Sequence, residues 1–200
     1  MKSLKSRKRP TASNNFKTEK VSKDIIDLCK STVEPRWKRI IRLILTPIKK
    51  QQLKLIEVGI GFQWGGNISI PRSRIGDYVY VGAGSVSSGP MTIGDLTMIA
   101  ARLTVVGNDH VFTNPNIPTR INFPSESRRV TLIGSDVWIG QDVTLIEGIK
   151  IGRGSIIATK SLGVSDVPPY SIYGGIPAKL IRPRFSKDEI TQAEKTIYGK

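Results

Sequence analysis

Two blocks of the sequence repeat a branched apolar residue at every sixth position. The first block carries Ile75, Val81, Ile93, Ile99 and Val105, with only Ser87 out of type, and the second carries Ile133, Ile139, Leu145, Ile151 and Ile157. An α-helix needs apolar spacing near 3.6 residues and a simple strand needs about 2, so neither explains a period of six. The period predicts a coil of short strands, in which three sextets close one triangular turn and the branched residues stack inside.

Glycine follows most of these apolar residues directly, as at Gly76, Gly94 and Gly140. We interpret this glycine as the corner residue that adopts unusual backbone dihedrals. The alternative is a β-sandwich in which the spacing is coincidental, and the regularity of both blocks argues against it.

The repeat and three further segments resemble the hexapeptide-repeat acyltransferases, and within them the maltose, galactoside and xenobiotic O-acetyltransferase branch. The resemblance runs from about Ile68 to Phe185 and is most specific in Val137-Trp138-Ile139-Gly140, Val167-Pro168-Pro169-Tyr170-Ser171-Ile172 and Gly175-Ile176-Pro177-Ala178-Lys179. It implies an all-β fold, a left-handed parallel β-helix, whose hand is an exception to the right-handed crossover rule. It also implies a homotrimer that uses acetyl-coenzyme A as co-substrate and requires no metal.

Charge and pattern divide the chain into four predicted parts: a basic flexible arm over 1–32, a basic amphipathic helix over 33–56, the β-helix over 57–185 and a C-terminal helix over 186–200. Residues 1–56 hold 16 of the 31 Lys and Arg residues but only four of the 16 Asp and Glu residues. The net charge of +15 therefore resides mainly in the N-terminal quarter. A nucleic-acid-binding fold would spread cations over its folded surface, so no nucleic-acid partner is expected.

The segment 33–56 has three possible roles. Its alternating apolar and basic residues predict a short helix that is interrupted near Pro47. Such a helix can cap the exposed strand edges of the first coil, lie on an anionic membrane surface, or bind a protein partner. At the other end of the chain, Ser186 and Glu189 have the spacing of a capping box and predict the start of a helix.

Targeting features are not recognisable in the sequence. It shows neither a spanning stretch of roughly 20 apolar residues nor a secretory signal. The lone cysteine, Cys29, allows no internal disulfide. We therefore expect a cytoplasmic protein, at the membrane surface if the basic segment binds lipid peripherally.

The sole histidine, His110, closes the first block of the repeat. The register then fails over 111–132, whose proline and asparagine content predicts a loop excursion from the coil. Imidazole exchanges a proton near neutral pH, which suits a general base for acyl transfer to a hydroxyl. The position matches the catalytic histidine of the family. Asn108 and Asp109 either orient the ring or serve as turn residues.

The resemblance also implies a set of binding residues. Those assigned to acetyl-coenzyme A are Gln141, Thr159, Lys179 and Arg182, and those assigned to the acceptor side are Tyr80, Asn108 and Trp138. The predicted activity is acetyl transfer to a hydroxyl of a sugar or glycan precursor. Alternatives are transfer to an amino sugar or xenobiotic, and a non-catalytic scaffold, since fold does not imply function. A zinc-dependent carbonic anhydrase would need three histidine ligands, and the chain has one histidine.

Overall fold

A computed structural model describes residues 18–33, 35–107, 109–125 and 127–200. Two helices come first, α1 (Lys23–Thr32) and α2 (Arg36–Gln52), and α3 (Lys187–Tyr198) comes last. Within these ranges, short strands form three sheets, named A, B and C. Sheet A contains β1 (Glu57–Val58), β3 (Arg74–Ile75), β6 (Met91–Ile93), β9 (Thr131–Ile133) and β12 (Lys150–Ile151). Sheet B contains β2 (Gln63–Trp64), β4 (Tyr80–Val81), β7 (Met98–Ile99), β10 (Trp138–Ile139), β13 (Ile156–Ile157), β15 (Ser171–Gly174) and β16 (Lys179–Pro183), and sheet C contains β5 (Val86–Ser87), β8 (Thr104–Val106), β11 (Thr144–Ile146) and β14 (Leu162–Gly163).

The chain passes through sheets A, B and C in turn and so forms a parallel β-helix. The branched residues of the repeat point inward and stack in register, which confirms the predicted interior. The ladder in sheet A contains Ile75, Ile93, Ile133 and Ile151. The ladder in sheet B contains Val81, Ile99, Ile139 and Ile157. No side chain of either ladder is more than 3% exposed. Burial of these apolar surfaces is the main favourable term in the fold.

One coil of the helix takes 18 residues and one excursion interrupts it. Paired residues in sheet B are 18 positions apart from Tyr80 to Met98 and from Trp138 to Ile156, but 40 apart from Met98 to Trp138. The surplus of 22 residues leaves the coil after β8 and returns at β9, with a 3-10 turn at Thr119–Ile121. The excursion thus joins sheet C to sheet A.

The glycines after the core residues have a different role from the predicted one. Positive φ angles occur two residues further on, at Leu96, Asp136 and Asp142. A Cβ atom on Gly94 would instead lie 2.5 Å from the backbone nitrogen of Ser135 in the next coil. Successive coils are one strand spacing apart, and the lack of a side chain here allows their corners to approach.

The residues from 18 to 32 differ from the predicted flexible arm, because they contain α1 and contact the coil. Val21 donates its backbone N–H to Oδ2 of Asp95 at 3.2 Å, and its side chain packs with Tyr170 and Tyr198. Ile25 packs against the same cluster. These apolar residues gain burial by lying on the coil, which favours order here. Residues 1–17 of the predicted arm lie outside the described part of the chain.

Helix α2 continues through Pro47, so the predicted interruption is wrong. Its basic side faces the first coil: Arg42 donates from Nη1 to the carbonyl of Phe62 at 2.9 Å and lies over the ring of Trp64. The apolar side of α2 remains exposed. Across the described ranges, no helix has both the length and the apolar character to cross a membrane.

The C-terminal part closes the last coil. Strand β16 reverses direction and pairs antiparallel with β15, which the repeat did not predict. Ser186 forms the predicted capping box with Glu189 at the start of α3. Glu194 of α3 then accepts hydrogen bonds from the Tyr170 hydroxyl at 2.6 Å and from Arg153 at 2.7 Å. These contacts fasten α3 to the coil.

Candidate functional site

The two ends of the excursion meet at the corner between sheets C and A. Arg128 donates from Nη1 to the carbonyl of Gly107 at 2.6 Å and to Oε2 of Glu147 at 3.0 Å, and from Nη2 to Oδ1 of Asp109 at 2.5 Å. We call these four residues the Arg128 clamp. The Glu147 side chain is 1% exposed, and it also accepts a hydrogen bond from the backbone of Arg129. The hydrogen bonds that Arg128 donates to Asp109 and then to Glu147 raise the pKa of its guanidinium.

His110 follows the clamp directly and is half-buried. The backbone N–H of Val111 donates to the carbonyl of Asn122 at 2.8 Å, so the two sides of the excursion pair beside the imidazole. The His110 ring lies 5.1 Å, centroid to centroid, from the ring of Phe123. The fold therefore holds the imidazole between the clamp and the returning side of the excursion.

Two buried side-chain atoms lack a hydrogen-bond partner among the residues that the structure describes. They are Nδ1 of His110 and Nδ2 of Asn122, and both lie at the base of the excursion. Buried polar atoms without partners are rare and costly, and they often mark places where function requires them. This corner can therefore offer hydrogen bonds to a further group.

Gln141 and Thr159 lie at a different corner, between sheets B and C. Gln141 follows β10 and Thr159 follows β13, one coil later, and both side chains are exposed. The carbonyl of Gln141 accepts a hydrogen bond from the N–H of Lys160 at 2.8 Å. Beside them Arg102 and Asp142 form two hydrogen bonds, of 2.5 and 2.8 Å, and these lower the pKa of the Asp142 carboxyl.

Lys179 and Arg182 are the exposed cations of β16 that the resemblance assigned to the cofactor. Lys179 pairs with Gly174, where an added Cβ would lie 3.1 Å from Cβ of Ala158, so Lys179 is close to the Thr159 corner. Arg182 pairs with Ile172 near the start of β15, and its Nη1 donates to the carbonyl of Pro183 at 3.0 Å. The two cations thus lie at opposite ends of one short strand.

Tyr80, Trp138 and Arg182 belong to one outward-facing column of sheet B. The strand register aligns this column as Tyr80, Met98, Trp138, Ile156, Ile172 and Arg182. Met98 and Trp138 are about half exposed, at 52% and 51%. We call these six residues the sheet B column.

The chain therefore places the predicted site residues in three regions. His110 is at the C–A corner, Gln141, Thr159 and Lys179 are near the B–C corner, and the remaining described ones are in the sheet B column. Asn108 lies outside the described residues. The chain does not bring the proposed base and the proposed cofactor residues together at one corner.

Sequence reasoning did not identify Met98, Arg128 or Asn122, which lie in these three regions. Met98 could have been found, because it directly precedes a core residue of the repeat, as Tyr80 and Trp138 do. Arg128 and Asn122 had no such signal, because the excursion has no repeat and their partners are distant in sequence.

Comparison with known proteins places the fold and the repeat in context. No family model matches the chain. A chloramphenicol acetyltransferase from Escherichia coli is 56% identical over 61 residues, which cover 30% of this chain and 29% of that protein. The galactoside O-acetyltransferase of Escherichia coli K12 is 32% identical over 145 residues, covering 72% of this chain and 65% of that protein.

A solved structure provides the third comparison. A hexapeptide-repeat acetyltransferase from Vibrio cholerae, crystallised with acetyl-coenzyme A, superposes with a TM-score of 0.59 at 22% identity, covering 82% of this chain and 85% of that one. This likeness shows the hexapeptide-repeat fold, a left-handed parallel β-helix. The match to the chloramphenicol enzyme, in contrast, spans less than a third of that enzyme's length.

Proposed function

The chain is a homologue of the hexapeptide-repeat acetyltransferases, and on this premise we propose that it transfers an acetyl group from acetyl-coenzyme A to a hydroxyl of a sugar or glycan precursor. His110 acts as the general base. The observation that carries the proposal is the half-buried imidazole beside the Arg128 clamp, with an unpartnered buried Nδ1. Fold alone would support a scaffold equally well.

The proposed reaction is a direct transfer. His110 accepts the proton of the acceptor hydroxyl while the oxygen attacks the thioester carbonyl and forms a tetrahedral oxyanion. The carbon–sulfur bond then breaks, and the imidazolium returns the proton to the departing thiolate, leaving an acetyl ester and free coenzyme A. Backbone N–H groups are the proposed donors to the oxyanion. The step needs no acyl-enzyme.

The base requires one ring nitrogen with a free lone pair. A neutral imidazole carries its hydrogen on one nitrogen and accepts at the other. We assign the proton transfer to Nε2 and the ring hydrogen to the buried Nδ1, which has no hydrogen-bond partner among the described residues. Asn122 Nδ2 is a second unpartnered donor at this corner, and we assign it to an oxygen of the acceptor.

We assign acetyl-coenzyme A to the B–C corner and the sheet B column. Gln141 and Thr159 offer exposed polar side chains one coil apart, and Lys179 adds a cation for the phosphates. Arg182 supplies a second cation at the far end of β16, in the same sheet B column as Trp138 but separated from it by β13 and β15. The pantetheine arm would lie along the exposed surface between them.

A homotrimer explains why these groups are apart in one chain. His110 and Gln141 occupy different corners of the prism, so a second subunit placed against sheet C would bring its own corner to the histidine. Closed cyclic assemblies arise from such head-to-tail contacts. We therefore propose that each site lies between two subunits and that a glycan or small-molecule acceptor enters beside the excursion.

A xenobiotic or an amino sugar is the second candidate acceptor. The short segment that is 56% identical to a chloramphenicol acetyltransferase favours a xenobiotic acceptor. The longer match to a galactoside O-acetyltransferase favours a sugar hydroxyl as the acceptor. We propose the cytoplasm as the compartment, because one unpaired cysteine fits a reducing environment.

The test compares wild-type protein with His110→Ala in an acceptor screen read by release of free thiol. General-base catalysis contributes about 10²- to 10⁴-fold, so turnover should fall by that order while affinity for acetyl-coenzyme A stays within a few-fold. Light scattering on the same samples tests the trimer. Normal transfer by folded His110→Ala, with any acceptor, would remove the base from the mechanism. The wild-type chain consuming no thioester would favour the scaffold.

A further inference from the structure

Helix α2 exposes an apolar face that no other described part of the chain covers. Its members recur at helical spacing of three and four residues, so they lie on one side. They are Trp37, Ile40, Ile41, Ile44, Leu45 and Ile48, which we call the α2 apolar face. Their exposed fractions run from 43% for Leu45 to 65% for Ile44, and no residue of α2 is buried. Soluble proteins rarely leave so continuous a patch uncovered unless it binds something.

The opposite side of α2 explains why this face points away from the coil. Arg42 bonds the Phe62 carbonyl, and Arg42 and Lys49 lie 5.5 and 5.9 Å from the ring centroid of Trp64. The helix is thus held on the first coil by its basic side. A helix that capped the coil would bury its apolar side there, and α2 does the reverse.

The charge of α2 indicates what kind of partner binds the α2 apolar face. Helix α2 contains six Lys and Arg residues and no acidic residue, and the first 56 residues carry 16 cations against four acids. We propose that the α2 apolar face binds the surface of an anionic lipid bilayer, with the helix lying in the plane of the headgroups. Apolar side chains including a tryptophan on one face and Lys and Arg on the other are the signature of such helices.

Two other occupants fit the charges less well. A second copy docked face to face would cover the apolar side chains, but it would add another helix with six cations and no acidic residue and so supply no counter-charge. A nucleic acid would contact the cations and leave the apolar face exposed. An anionic bilayer suits the face and the charge together, because the face enters the headgroup boundary while exposed cations beside it, such as Arg36 and Lys38, are attracted to the lipid charge.

The experiment is co-sedimentation of the full chain with vesicles of phosphatidylcholine alone and of an equal mixture with phosphatidylglycerol. The wild type should co-sediment with the mixed vesicles and bind the phosphatidylcholine vesicles only weakly. Ile44→Ser should lower the partition coefficient by about tenfold, since it removes one side chain from the apolar boundary. The matched control is Ile121→Ser on the excursion, where isoleucine is likewise 65% exposed, and it should bind as the wild type does.

Four outcomes would overturn the proposal. One is the absence of binding to mixed vesicles, and another is an equal loss with Ile121→Ser. The third is binding that Ile44→Ser leaves unchanged and that high salt abolishes, which would assign it to charge alone. A change of oligomeric state in Ile44→Ser would identify a second copy as the occupant. Acetyl transfer measured without vesicles should not change in Ile44→Ser, so this test fails or succeeds separately from the enzymatic one.

Discussion

At the scale of single residues, the chemistry of the proposed site depends on how His110 is held. The His110 ring has an aromatic neighbour, Phe123. The residues before His110 are held by the Arg128 clamp, and Val111 after it is held by a hydrogen bond to the carbonyl of Asn122. The side-chain hydrogen bonds of Arg128 go to Gly107, Asp109 and Glu147. We therefore regard Arg128 as a positioning residue that acts through the Gly107 carbonyl and the Asp109 carboxylate, shortly before His110 in the chain.

Arg128→Gln should lower turnover roughly 10- to 100-fold, because small displacements of a catalytic group are costly. Loss of its charge also leaves the buried Glu147 with fewer partners, so thermal denaturation must confirm that the variant is folded. In the His110→Ala background the same change should cost little further activity, since both act on one step. The matched control is Arg74→Gln, which breaks the exposed 3.1 Å pair with Glu57 and should keep full activity. Additive losses would contradict the positioning role.

At the scale of the coil element, the spacing between successive turns limits which residues each corner accepts. Glycine at the position after a core residue is needed for its lack of volume, while the positive φ falls two residues later on residues such as Asp136. Sequence reasoning placed the unusual dihedrals on the glycine itself, whereas in the structure they fall two residues later and the glycine allows the close approach of coils.

Gly94→Ala should destabilise the protein by about 1–3 kcal/mol, since the new methyl must displace backbone of the next coil. An added Cβ would lie 2.5 Å from the nitrogen of Ser135 and 2.6 Å from the carbonyl carbon of Gly134. Gly66→Ala is the matched control, because no atom lies within 4 Å of its added Cβ and its φ is ordinary. Denaturant unfolding measures both. Equal stability of the two variants would refute the close-approach explanation.

At the scale of the whole molecule, charged groups fasten the N- and C-terminal segments to the coil. Burial alone would raise the pKa of Glu194, but hydrogen bonds from Arg153 and Tyr170 outweigh it and lower this pKa. Burial and then Glu194 raise the pKa of Tyr170 to about 12. Arg153 also pairs with Glu19 at 2.5 Å, so the same cluster reaches the segment before α1.

Stability should consequently depend on pH through Glu194. Its folded pKa is below the ordinary value of 4.5, so its contribution is complete above that pH and declines as pH falls through the folded pKa. Glu194→Gln should lose about 1–2 kcal/mol at pH 7, a Tm decrease of roughly 2–8 °C, and the difference from wild type should narrow in acid. Glu57→Gln, which removes an exposed pair, should melt as the wild type does. A Tm difference independent of pH would show that Glu194 does not act through its charge.

The sequence by itself determined the coil. A period of six in branched residues identified the core positions, because each coil repeats the same local environment, and the failure of that period located the excursion at 111–132. The capping box at Ser186 was likewise local. Site residues that occupy repeat positions, such as Trp138 and Thr159, could be placed on a strand or corner by the same register.

Only the tertiary structure decided what joins parts distant in sequence. The clamp joins Arg128 to Glu147 and Asp109, which lie 19 positions to either side, and α2 lies on the coil by its basic face although its pattern is equally compatible with the reverse. Periodicity reports which side of an element is apolar. It does not report which surface that side meets, because that depends on shape and charge assembled across the whole chain.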